Sequence, residues 1–296
     1  MITLSSQHKG LFYAALSGML YGFLAYFGMN IIIEGHYSVS NMLFWRFFIT
    51  TIVFFLVLIP MLRSITFDKY QMIYALILGG LFYSGAAGLY FVASELIGTG
   101  LSMVIFFTYP TMVAVLNWFF HRRKITFFYY ASFILTGIGI FLLSDKNEIT
   151  FDVYGIILSS LAALSYAFYM ITSKKQSRNL NPFLSSFMVS VGCTALFLTI
   201  ALIDQSFSIP TTSTLWFNIF GVSIIGTALP LIFLLIGLKY INSTKASIVS
   251  VLEPVITVII GVILLGEVLS WWQATGIITI LAGTLIIQFD KGVEGK

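Results

Sequence analysis

The stretch SIVSVLEPVITVIIGVILLGEVLS, Ser247 to Ser270, decides how this chain is read. Before Glu267 its one charged residue is Glu253, which stands directly ahead of Pro254. A carboxylate inside an apolar span is expensive unless the protein uses or satisfies it. The proline beside it removes a backbone donor and kinks a helix at that point. The feature has an echo. Pro110, 144 residues earlier, lies inside MVIFFTYPTMVAVLNWFFHRRKIT, Met103 to Thr126. Two proline-broken apolar spans at matching places are the trace of an internal structural repeat. Function is expected at that pair.

Working outward, the 296 residues are 59% hydrophobic and 9% charged, where a soluble domain carries about 25% charged residues. So few charges cannot cover a soluble surface, and the chain reads as an all-α polytopic membrane protein. About 20 mostly apolar residues cross a bilayer core as a helix. Ten segments meet that requirement: 11–33, 39–62, 70–93, 98–120, 125–144, 153–173, 183–203, 215–237, 243–266 and 271–288. Their short links make successive segments antiparallel neighbours and leave no room for a soluble domain. The first is too long for a signal-peptide core and lacks a clear cleavage site, so it reads as an uncleaved membrane helix.

Basic residues set the orientation. With a cytoplasmic amino terminus, the inner segments collect Lys9, Arg63, Lys69, Arg122, Arg123, Lys124, Lys174, Lys175, Arg178, Lys239, Lys245, Lys291 and Lys296. The outer loops hold only Lys146, a strong positive-inside bias that places both termini in the cytoplasm. The Arg122-Arg123-Lys124 cluster is then a topology anchor at the anionic inner surface. Asn242, in Asn-Ser-Thr, falls on the cytoplasmic side and carries no glycosylation claim. The net charge of +4 belongs to these loops and says nothing of nucleic acid. A single cysteine, Cys193, excludes internal disulfides and a cysteine metal site, and His8, His36 and His121 show no ligand spacing. No phosphate loop, nucleophile elbow or zinc motif is present, and no cofactor is called for.

Two halves, 1–149 and 150–296, can now be aligned. An offset of 144 pairs Pro110 with Pro254, Thr126 with Ser270, Ser132 with Gly276 and Gly139 with Gly283. An offset of 145 pairs Gly10 with Gly155 and Tyr21 with Tyr166. Each half holds five segments, an odd number, so the second half enters the membrane from the opposite side. The expected fold is ten transmembrane helices in two inverted five-helix repeats.

The chain resembles the drug/metabolite transporter superfamily, specifically its ten-helix EamA-type carriers, over essentially its whole length. The residues that carry the likeness are Leu252-Glu253-Pro254-Val255, then Leu265-Gly266-Glu267 with Gln273, Gly276 and Gly283. In the first half they are Pro110, Arg46 in FWRF, and Tyr21-Gly22. The resemblance implies a central cavity lined mainly by segments 1, 3, 4, 6, 8 and 9, with 5 and 10 at the periphery, and movement of small metabolites. The chain departs from the family pattern in three places. Tyr21 stands where tryptophan is usual, Arg123 is the counterpart of Glu267, and Ser190 is the counterpart of Arg46.

Two readings stand for each candidate residue. Glu253 is either a protonatable or cation-binding group in the cavity or a hydrogen-bonded glutamate that holds the break at Pro254. Its mate in the first half, Tyr109, does not readily ionise, so coupling would be one-sided. Arg46, about 10 Å of helical rise from the outer end, either holds an anionic substrate group or pairs with Glu34, Glu95 or helix carbonyls. Tyr21, Tyr83, Tyr90, Tyr109 and Tyr166 either hydrogen-bond and stack on a ligand or pack between helices. Asn117 is read as bonded to a neighbouring helix. Gly18-x-x-x-Gly22 and Gly85-Ala-Ala-Gly88 allow close backbone approach.

The sequence thus predicts a secondary transporter, not an enzyme, in a bacterial-type cytoplasmic membrane. Its partners are a small-molecule substrate, membrane lipid and protons as the coupling ion. The resemblance points to an amino acid or similar metabolite moving outward by alternating access around Pro110 and Pro254. Two rivals stay open: a proton-coupled carrier of organic cations or quaternary amines, favoured by cation–π attraction, and an intramembrane lipid-modifying enzyme, which would need a convergent acid–base pair.

Overall fold

The structure, a computed structural model, describes residues 6–35, 37–63, 65–122, 126–143, 152–177, 179–265 and 270–286. Arg123, Lys124, Lys146, Arg178, Glu267, Lys291 and Lys296, and the side chains of Glu34 and His121, lie outside the described residues. The described residues are helical, with no strand among them. In chain order the helices are α1 (Ser6–Tyr21), α2 (Phe23–Gly35), α3 (Val39–Leu58), α4 (Lys69–Tyr74) and α5 (Gly80–Phe106). They continue with α6 (Tyr109–His121), α7 (Phe127–Leu143), α8 (Val153–Gln176), α9 (Pro182–Ile203) and α10 (Ser213–Ser223). The last are α11 (Leu229–Tyr240), α12 (Ser243–Ser250), α13 (Leu252–Leu265) and α14 (Trp271–Ile286).

Local chemistry starts these helices. Ser38, Asp68, Asp152, Asn181, Thr212 and Asn242 each accept a hydrogen bond from the first turn that follows, satisfying amides that have no helical partner. Ser270 and Gln273 cap α14 reciprocally: Ser270 N donates to Gln273 Oε1 and Gln273 N donates to Ser270 Oγ.

Among the described residues, 7 helical runs are long and apolar enough to cross a membrane, and the shorter apolar helices Phe127–Leu142 and Trp271–Ile286 accompany them. The segmentation expected from hydropathy differs in detail because hydropathy does not see where a helix bends. Segments 70–93 and 98–120 meet in one run, Lys69–Phe106, turned at Gly98. Gly98 adopts φ 76 and ψ 154, a conformation open to glycine and strained for other residues. The run ends at Phe107–Thr108, and Pro110 sits in the first turn of α6. Segment 243–266 breaks at Val251, and Pro254 follows in α13. Prolines are tolerated there because a first-turn amide has no partner to lose. Two further interruptions were not legible. One π-helical turn lies at Ala75–Gly79 and another at Ile224–Ala228, each inside a continuous helical run.

The main pairings join an element of the first half to one of the second: α1 with α11, α5 with α8, α3 with α9 and α7 with α14. The halves interlock rather than sit side by side. Glycines permit the closest approaches. A Cβ on Gly139 would lie 2.8 Å from Gly276 O, and one on Gly18 would lie 2.8 Å from Ser250 O. Gly22 faces Ile256 in the same way, so the Gly18-x-x-x-Gly22 face of α1 is the surface that seats the break before α13. Exposed apolar side chains such as Phe119, Ile134, Phe141, Ile263 and Trp271 cover the outside, as a bilayer-facing surface requires.

Candidate functional site

A cavity of about 500 Å³ opens between α1, α2, α3, α5, α8 and α13. Tyr21, Tyr83, Tyr166 and Glu253 line its deep end, and Arg46 lines one wall. Val39, Glu95 and Thr99 line its mouth, where Glu95 and Thr99 are exposed. Phe91, Met103 and Phe106 add an apolar flank. This volume suits a small solute.

The structure therefore brings Tyr21, Arg46, Tyr83, Tyr90, Tyr166 and Glu253 into one cavity. Tyr21 and Tyr83 touch through their hydroxyls at 2.7 Å, and the Tyr83 and Tyr169 rings lie 4.8 Å apart. Tyr109 is not among the lining residues. It is buried under the floor, with its ring edge-on to Tyr166 at 4.7 Å and its hydroxyl donating to Ser247 O at 3.2 Å. Pro110 and Pro254 are buried behind their respective breaks.

Glu253 falls in the first turn of α13, where the positive end of the helix dipole favours a carboxylate. Among the described residues that carboxylate has neither a hydrogen bond nor an ion pair; only the backbone carbonyl of Glu253 is engaged, by Thr257. Arg46 is 3% exposed. Its Nε donates to Thr227 Oγ1 at 2.7 Å, and its guanidinium carbon lies 5.0 Å from the centre of the Phe47 ring. It forms no ion pair with Glu95 or Glu253 among the described residues.

Beyond Tyr166, side-chain hydrogen bonds cross the opposite end of the bundle among the described residues. Asn117 Nδ2 donates to Ser243 Oγ at 2.8 Å and to Thr244 Oγ1 at 2.9 Å, bonding neighbouring elements α6 and α12. Lys174 Nζ donates to Leu238 O, and Ser177 Oγ lies 2.8 Å from Lys174 O and 3.2 Å from Leu238 O. Gln176 Nε2 donates to Gln71 O at 2.6 Å, and Gln176 Oε1 accepts from Ser185 Oγ at 3.0 Å. One end is an open aromatic funnel, and the other carries a mesh of polar contacts among the described residues.

Sequence reasoning missed several lining residues: Leu24, Ala86, Ala87, Ser94, Met103, Phe106 and Thr257. Part of the signal was present in Gly85-Ala-Ala-Gly88. There Gly85 packs on Ser165 and Gly88 on Phe197, while the two alanines between them face the cavity. The lining also departs from the set implied by the resemblance. Segment 2 contributes Val39 and Arg46 directly, and segment 8 stands behind Arg46 through Thr227 instead of reaching the cavity.

The pattern of the EamA-like transporter family matches residues 8–145 and again 153–289. The chain belongs to this family. Among relatives, an uncharacterized transporter of Archaeoglobus fulgidus is 30% identical over 151 residues, half of this chain and 52% of that protein. The uncharacterized transporter YxxF of Bacillus subtilis is 27% identical over 63% of this chain and 60% of its own length. The chain thus matches about half to two thirds of the length of these relatives. The threonine/homoserine exporter RhtA of Salmonella typhimurium is 25% identical over 72% of this chain and 68% of its own. A solved crystal structure superposes with a TM-score of 0.79 over 94% of this chain and 96% of that one, at 16% identity, a likeness of fold.

Proposed function

We propose that this EamA-family protein is a secondary transporter of small carboxylate-bearing metabolites, amino acids or close analogues, working by alternating access. The observation that carries the reading is the presence, in one cavity, of a buried arginine and a carboxylate that form no ion pair with each other or with another group among the described residues. Such groups are costly inside a membrane protein unless a ligand meets them. Arg46 receives the solute carboxylate and Glu253 its ammonium group. Tyr21, Tyr83, Tyr90 and Tyr166 wall the site, and Tyr109 supports Tyr166 from below. Glu253 then exchanges the solute for a proton. Export is the direction suggested by the exporter among the relatives.

The same reading takes the ten apolar segments as two inverted five-helix repeats, 1–149 and 150–296, that rock about Pro110 and Pro254. It is supported by family matches in both halves and by pairings that run between the halves. Both termini lie in the cytoplasm of a bacterial-type inner membrane, on the strength of the basic loops. The mouth at Glu95 and Thr99 then faces outward. A chemical transformation is not part of this function, in keeping with relatives named as transporters.

An organic-cation carrier fits the cavity less well, because the Arg46 guanidinium on its wall repels a permanent cation. Thermal melting of purified protein separates the two, since a ligand of the folded state raises the melting temperature. Threonine, homoserine and other amino acids are expected to raise it, and quaternary amines to leave it unchanged. Stabilisation by quaternary amines alone, or absence of counterflow of any amino acid in proteoliposomes holding folded protein, would overturn the proposal.

A further inference from the structure

We infer that Thr227, in the π-helical turn Ile224–Ala228, is a positioning residue that fixes which edge of Arg46 meets the solute. The inference rests on reading Arg46 as the anion-binding group of the cavity. Thr227 is fully buried and is not among the lining residues.

A hydroxyl has one proton to give. Thr227 Oγ1 lies 2.7 Å from Val222 O, which has no proton to return, so Thr227 donates there. The same oxygen lies 2.7 Å from Arg46 Nε and must accept from it. The polarity of the relay from Arg46 through Thr227 to Val222 is therefore determined. A guanidinium carries five N–H groups, and this contact uses the one on Nε. The remaining four, on the two Nη atoms, have no acceptor among the described residues, in a side chain that is 3% exposed and lines the cavity.

A carboxylate can dock on arginine side-on, at Nε and one Nη, or end-on, at both Nη atoms. With Nε committed to Thr227, only the end-on edge is left for a two-pronged contact. The backbone supports this arrangement. Thr50 Oγ1 lies within hydrogen-bond distance of both Arg46 O and Ser223 O, at 2.8 and 3.0 Å, and joins α3 to the start of the same π-helical turn. A π-helical turn shifts side chains out of α-helical register, and such turns recur at functional sites. Here the displaced register lets Thr227 reach back to Val222 while facing Arg46.

The test compares Thr227→Val, which keeps the shape and removes the hydroxyl, with Thr227→Ser, which keeps the hydroxyl, and with Arg46→Gln. The probes are threonine and its amide, which differ in the carboxylate. The readout is the ratio of their dissociation constants on purified protein, beside the Arg46 Nε–H signal by nitrogen-15 NMR. Wild type is expected to prefer threonine by about tenfold or more. Arg46→Gln should abolish the preference. Thr227→Val should reduce it severalfold and lose the protected Nε–H signal, while Thr227→Ser keeps both. Should Thr227→Val fail to fold, Thr227→Ala takes its place. If wild type or Arg46→Gln shows that Arg46 confers no preference, the anion-site reading fails and the inference fails with it. If Arg46→Gln abolishes the preference but Thr227→Val retains the wild-type ratio or the Nε–H signal, the positioning role alone is overturned.

Discussion

The two proline-led breaks share a backbone device and put it to different uses. At the first, Tyr109 is buried and its hydroxyl is spent on Ser247 O, so the break ties α6 to α12. At the second, Glu253 in the first turn of α13 carries a carboxylate with no hydrogen bond or ion pair among the described residues, and it lines the cavity. One break closes the bundle and the other offers a group to whatever enters. A helix interruption thus marks a place where backbone can be rearranged. On the proposed function, the residue beside the proline decides whether that place is a fastening or a binding site.

Glu253→Gln should separate the two breaks most strongly. With no hydrogen bond or ion pair to lose among the described residues, the variant should fold and melt as wild type does, within about 1 kcal/mol. Amino acid counterflow should fall about 10- to 100-fold, the worth of one charge-assisted hydrogen bond. A fall in melting temperature with transport retained would turn Glu253 into a fastening like Tyr109. Next in size is Gly18→Ala. The new methyl would meet backbone of Ser250 at 2.8 Å, and such overpacking costs about 1–3 kcal/mol. Gly28→Ala, with nothing within 4 Å of its Cβ, should leave the melting temperature unchanged or slightly raised. Equal effects at the two glycines would deny α1 its part in seating the second break.

At the sealed end, Asn117→Ala removes hydrogen bonds to Ser243 and Thr244. It should weaken closure by about 1–2 kcal/mol, read as faster labelling of a cysteine placed at Ser243 in an otherwise cysteine-free protein. Unchanged labelling would mean the mesh does not hold that end shut. Smallest is Tyr109→Phe, which leaves Ser247 O without that donor at a cost of about 1 kcal/mol. It should lower the melting temperature slightly and leave amino acid affinity intact. A large loss of affinity would move Tyr109 from fastening to ligand contact.

The apolar runs, the isolated Glu253 and Arg46 and the paired prolines were all legible in the chain, because the membrane permits few such residues without a reason. The sequence also marked Tyr21, Tyr83, Tyr90 and Tyr166, which the fold gathers at one cavity. It gave no hint of Thr227 or Thr257, since a threonine inside an apolar helix is unremarkable until its partner is known. The breaks were written locally, in proline. The bend at Gly98 and the π-helical turns were not, because an ordinary glycine or a TALP-type string in a helix carries no signature of the register it adopts.

Composition and period were written in the chain alone: a helical membrane chain with a repeated, proline-broken span. Lipid enforces that much, since every buried backbone group must be satisfied within its own helix. Which side chains share the cavity was decided by contacts between residues far apart in the chain. Arg46 meets Thr227 and Tyr21 meets Tyr83, and Asn117 closes on Ser243. Helix packing chooses those partners through close approaches at residues such as Gly18 and Gly22, and no local pattern encodes them.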